Sequence, residues 1–140
     1  MSEERETRLL MISPSSRLTP EMLARTIHSM GEDVALKETC YGCLIEGRRE
    51  VVRRITDNLR ETQGNSVFSK RRAYRLGDPV RCRAQHGTRP GFSQLEDEWQ
   101  ALPYIEAGLD AIDNGEGYKE IPVKQRLPVD KLIEICEVKR

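Results

Sequence analysis

Within the first 78 residues, two stretches with helical apolar spacing are each bracketed by short apolar runs of strand length. That alternation limits the folds open to the chain. Residues 8 to 15, RLLMISPS, read as a strand ended by Pro14 and the serines. Thr19 is a natural N-cap, Pro20 suits the first helical position, and Leu18 and Leu23 sit where a hydrophobic staple would be. Leu23, Ile27 and Met30 then share one face, and Gly31 closes the helix. Residues 33 to 46, DVALKETCYGCLIE, predict two strands joined by a tight turn near Tyr41 and Gly42. A second helix begins near Arg48, with Val51, Val52, Ile55 and Leu59 along one face and Gly64-Asn65 at its end. Val67 to Arg75 supplies a last strand.

Strand, helix, strand, strand, helix, strand is the order of the split βαβ, ferredoxin-like arrangement, an α+β plan with two helices on one face of an antiparallel sheet. Residues 1–78 are expected to form that domain. Residues 79–114 are expected to add a basic loop and a helix packed on it or extending it, and residues 115–140 a C-terminal tail. Ser93 and Glu96 have capping-box spacing, and Leu95, Trp99 and Leu102 form the stripe of the third helix. Pro103 should kink or split it before Ile105, Leu109 and Ile112 continue to Asn114-Gly115. The tail, with IPV and then LPVDKLIEICEVK, fits a helix or a returning strand equally well. A chain of 140 residues has a prior of one domain.

Charge is sorted along the chain. Between Lys70 and Phe92 stand Lys70, Arg71, Arg72, Arg75, Arg81, Arg83 and Arg89 with His86, against Asp78 alone. From Ser93 to Glu120 the acids are Glu96, Asp97, Glu98, Glu106, Asp110, Asp113, Glu116 and Glu120, against Lys119. With a formal net charge of zero, this asymmetry speaks of partners rather than of fold. No apolar run approaches the roughly 20 residues a membrane helix needs. The charged opening MSEERETR lacks a signal-peptide core, so a cytoplasmic protein is expected. In such a chain four cysteines read as thiols or ligands rather than disulfides. No Walker loop, dinucleotide fingerprint or HExxH motif is present, which lowers the expectation of an enzyme without excluding one.

Three constellations carry possible chemistry. Cys40 and Cys43 form a C-x-x-C and Cys82 and His86 a C-x-x-x-H, a donor set suited to tetrahedral zinc or an iron–sulfur cluster. In the expected topology, however, the second hairpin turn and the end of the last strand lie at opposite ends of the sheet, which favours structural thiols over a shared metal. Thiol redox at Cys40 and Cys43 lacks the helix N-terminus that would lower a thiol pKa. Cys136 reads as a core or interface residue and His28 as a surface one. The third constellation is the loop Arg81, Arg83, His86, Arg89 and Phe92, able to grip carboxylate or phosphate. Its bland alternative is an internal ion-pair network with Glu96, Asp97 and Glu98. RNA is disfavoured by the zero net charge and by the scarcity of stacking faces, Tyr74 and Phe92 being those near the loop.

Three strings, KETCYGCLIEG (Lys37 to Gly47), FSKRRAYRLGD (Phe68 to Asp78) and RCRAQHGTRPGFSQLEDEW (Arg81 to Trp99), resemble methanogenesis marker protein 6, a small family of methane-metabolising archaea. The resemblance spans roughly residues 8 to 112 and leaves the tail from Gly115 to Arg140 outside. It implies an anaerobic cytoplasm and a role connected with methyl-coenzyme M reductase. The expected function is therefore a non-enzymatic accessory protein. Its partner would be that enzyme or its assembly and activation machinery, bound through Arg81, Arg83, His86, Arg89 and Phe92, with no cofactor required. The alternative is a small zinc, iron–sulfur or thiol-redox protein using Cys40, Cys43, Cys82 and His86.

Overall fold

The structure is a computed structural model that describes residues 4–78, 92–117 and 120–137. The elements are β1 (Arg5–Ile12), α1 (Pro20–Ser29), β2 (Val34–Thr39), β3 (Gly42–Arg48), α2 (Arg49–Gln63), a 3₁₀ turn (Gly64–Ser66), β4 (Val67–Arg72), α3 (Phe92–Asp113) and α4 (Val129–Cys136). The four strands form one antiparallel sheet in the order β2-β3-β1-β4. Local signals explain the first helix. Thr19 Oγ1 accepts from the Met22 N–H at 3.2 Å, Pro20 opens the helix, and Gly31 at φ 66° ends it.

One face of the sheet carries α1 and α2. Leu10 and Ile12 of β1 and Cys43 and Ile45 of β3 pack there against Leu23 and Ile27 of α1 and Val51, Val52, Ile55 and Leu59 of α2. The other face is covered by α3. Leu9, Met11 and Leu44 pack against Leu102, with Leu95, Trp99, Tyr41 and Phe68 around them. This third layer accounts for the unbroken apolar run of β1, because a strand buried on both faces has no polar alternate. The Trp99 indole N–H donates to the Ile12 carbonyl at 2.9 Å, and its ring lies 5.1 Å from that of Tyr41.

Two expectations about α3 need correction. It opens at Phe92, one residue ahead of the expected Ser93 cap, and it runs through Pro103 without splitting. Trp99 and Leu102, anchored on the sheet just before the proline, hold the helical path where one backbone bond is lost. The tail resolves the open alternative in favour of a helix, α4, preceded by Glu120–Pro128 in neither helix nor strand.

Candidate functional site: an arginine-rich end of the sheet

β1 begins polar and ends apolar, and its polar half gathers charge from distant parts of the chain. Register sets Arg5 opposite Arg48, Thr7 opposite Glu46 and Arg72, and Arg8 opposite Arg71. Arg49 follows at the start of α2, its N–H bonded to the Glu4 carbonyl at 2.9 Å. Arginines from β1, β3, α2 and β4 therefore converge on one end of the sheet, where a cleft of about 270 Å³ is lined by Arg5, Glu46, Arg71, Arg72, Tyr74 and Arg75 among others.

Two buried glutamates organise this end. Glu6, only 3 % exposed, accepts from Arg8 Nε at 2.5 Å, with Arg49 Nε at 3.3 Å and Arg71 Nε at 3.9 Å. Burial pushes its carboxyl upward, but the Arg8 hydrogen bond and the charges of Arg8, Arg71 and Arg53 outweigh that, leaving it below the usual carboxylate range. Glu46 accepts from Thr7 Oγ1 at 3.0 Å and from the Leu76 backbone N–H at 2.6 Å, with Arg5 at 3.4 Å. Burial raises it too, and the Leu76 and Thr7 hydrogen bonds and the charges of Arg5 and Arg75 bring it net below its ordinary value. Both carboxylates are thus ionised and already engaged. Glu46 also fixes the turn from which the chain leaves the sheet toward residues 79–91.

The sequence-predicted sites fall as follows. Arg81, Cys82, Arg83, His86 and Arg89 lie outside the described residues, as does the Phe92 side chain, although Phe92 opens α3. Glu98 pairs with Lys70 on β4, and the expected contacts of Glu96, Asp97 and Glu98 with the loop lie outside the described residues. Cys43 is buried among the apolar residues between sheet and helices, its Sγ 3.5 Å from the Pro20 carbonyl. Burial, helped by the charge of Glu38, pushes its thiol up to about 12. Cys40 is exposed in the β2–β3 turn, beside a small cleft of about 160 Å³ shared with Ile12, Tyr41 and Trp99. That turn abuts Met11, whereas β4 ends opposite Thr7, four residues or about 13 Å away along β1. Cys136 is exposed on α4 rather than in the core, and His28 is exposed as expected. No group of three or more metal-ligating side chains occurs among the described residues. No described helix is long and apolar enough to cross a membrane.

Reading along the sequence missed Glu6, Glu46, Arg5, Arg48 and Arg49. The available signal was an acid in each of two strands whose remaining residues include apolar runs, LLMI in β1 and CLI in β3; buried beside them, it calls for a cationic partner.

Residues 9–110 match the family model described as "Uncharacterized protein conserved in archaea (DUF2102)". The chain belongs to this archaeal family. The chain is also similar over almost its whole length to "Uncharacterized protein MJ0498" of Methanocaldococcus jannaschii, 35% identical over 146 residues, covering 95% of this chain and 93% of that protein. No solved structure matches. The DUF2102 match stops before the end of α3, but the likeness to the Methanocaldococcus protein leaves out only 5% of the 140 residues, about seven. It therefore reaches into α4, and the tail is no private addition to this chain.

Proposed function

We propose that this protein is a non-enzymatic accessory protein that docks on an acidic surface of a larger partner through the arginine-rich end of its sheet and the basic loop that leaves from it. The observation that carries this reading is the excess of arginine there. Glu6 has three guanidiniums around it, and one of them, Arg71, keeps a side chain 64 % exposed. Arg72 and Arg75 add to that charge and lead directly toward Arg81, Arg83, His86 and Arg89. Planar guanidiniums held in place by buried carboxylates are suited to bidentate contact with carboxylates of a partner.

The resemblance to methanogenesis marker protein 6 supplies the partner. It is methyl-coenzyme M reductase or its assembly and activation machinery, in an anaerobic cytoplasm, with Phe92 as apolar anchor beside the arginines. We read the framework as ferredoxin-like, supported by the order β2-β3-β1-β4 and by both early helices on one face. The burial of Cys43 supports leaving metal and thiol redox aside.

The test is anoxic co-purification of the tagged protein from a methanogen, followed by binding of purified protein to the recovered reductase. Arg72→Glu with Arg89→Glu should weaken association at least about tenfold, which corresponds to about 1.4 kcal/mol, while the melting temperature stays within about 2 °C. Recovery of the protein without the reductase or its maturation factors would refute the partner. One zinc or several iron atoms per chain in the same sample would move Cys40, Cys43, Cys82 and His86 to first place.

A further inference from the structure

A second groove lies between α2 and β4 and adjoins the arginine-rich end through Arg8. It encloses about 530 Å³, with Arg53 and Arg60 on its α2 wall and Val67, Phe68 and Leu109 providing apolar surface. Among the described residues no carboxylate lies within ion-pair distance of Arg53 or Arg60, although Asp57 sits between them on the same wall. The groove therefore combines apolar side chains with Arg53 and Arg60, which have no ion-pair partner among the described residues, beside Arg8, which pairs with Glu6.

The tail carries the complement. α4 shows its apolar side chains to solvent, Val129 at 70 % and Leu132 and Ile133 at 52 %, and Cys136 is exposed beside them. At 100° per residue these four make one stripe, and Asp130 and Glu137 lie together along a single flank of it. Asp130 and Glu137, the residue that caps the end of α4, are seven residues apart, as are Arg53 and Arg60, a span of about 10 Å along α2. Lys131 lies away from that flank.

The path of the chain decides whose groove is filled. The end of α3 is held at the groove, since Asn65 Nδ2 donates to Asp110 at 2.7 Å and Asp113 at 2.9 Å and Leu109 lines it. Glu120–Pro128 then follows, with Pro122 and Pro128 and no regular structure. Drawn out at polyproline pitch, the segment spans about 28 Å. That span is long enough for α4 to reach beyond the groove beside the end of α3, and every residue of α4 is exposed rather than seated on its own body.

We propose that α4 of one copy seats in the α2–β4 groove of a second copy and the reverse, forming a two-fold dimer by exchange of C-terminal arms. The mode is helix in groove, with Asp130 and Glu137 facing Arg53 and Arg60. The area is modest, so association in the micromolar range is expected. The groove adjoins the partner-docking end through Arg8, and the substitutions that test it are kept off Arg71, Arg72 and Arg75.

Sedimentation equilibrium of the full chain from about 1 to about 300 µM tests it. The mass should rise from 16.1 kDa toward twice that value. Arg53→Glu with Arg60→Glu should weaken the dimer at least about tenfold, and so should Asp130→Arg with Glu137→Arg, which leaves the body untouched. Combining all four reversals should restore it. A mass of 16.1 kDa at every concentration would overturn the proposal, whether α4 then lies in its own groove or nowhere. So would a dimer indifferent to both pairs of reversals, or one weakened by each and not rescued by the combination.

Discussion

Glu6 and Glu46 show how a residue can be plain in the sequence and opaque in its purpose. Each is a buried acid inside a strand, Glu6 between Arg5 and Thr7 and Glu46 between Ile45 and Gly47, and each is offset by hydrogen bonds and guanidiniums. Their folded-state pKa values lie below those of the unfolded chain, so the stability they contribute is present above the ordinary glutamate value. It is lost as pH falls through their depressed values. Urea midpoints measured across the acid range should therefore drop below about pH 4.3. Glu6→Gln should flatten that fall while costing about 2 kcal/mol at neutral pH, because Arg8 and Arg49 lose their counter-charge. An acid limb unchanged by Glu6→Gln would show that its carboxylate is not engaged in solution. Apart from Arg8, two residues from Glu6, these partners are distant in sequence, which is why periodicity alone could not assign them. Cys43 illustrates the same limit: C-x-x-C spacing suggested chemistry, whereas strand alternation from Ile45 places its thiol in the core.

At the scale of elements, the helices were legible because Thr19, Pro20, Gly31 and Gly64 punctuate stripes with the period of a helix. The turn between β2 and β3 was legible from Gly42, and the structure adds a reason for that residue. Its φ is 152°, and a Cβ there would stand 2.0 Å from the Leu10 carbonyl oxygen. Because that atom belongs to the central strand, nothing can yield cheaply. Gly42→Ala should destabilise by about 3 kcal/mol or more, read as a lowered urea midpoint at unchanged slope. Wild-type stability in this variant would mean that the hairpin crosses β1 differently. α3 was only half legible. Its first turns bury Leu102 and dock Trp99, but Ile105 and Ile112, which continue the stripe on paper, stay exposed. A period identifies a face without saying how far along the helix a neighbour extends.

For the molecule as a whole, burial is concentrated on β1 and β3, the two interior strands, and falls away toward β2, β4 and the tail. Amide hydrogen exchange in dilute solution should follow that gradient. β1 and β3 should exchange only through global opening, and α4 almost at once. Early protection of α4 in a dilute monomer would contradict its exposed placement. The four strands and the two helices on one face could be read from order and spacing; for the third helix they left packing on the domain and extending from it both open. The choice depends on α3 returning across the sheet after the basic loop, and its traces in the sequence are the stripe Leu95, Trp99 and Leu102 and the apolar run of β1.

The position of β4 has a further consequence. It is an edge strand, and its sequence VFSKRR places Lys70, Arg71 and Arg72 where a bare ladder of N–H and C=O groups would otherwise invite another strand. The charges that draw an acidic partner are then also what keeps copies of this chain from stacking edge to edge. Neutralising them trades recognition for insolubility, and a bound partner that cancels them must shield the exposed edge as well.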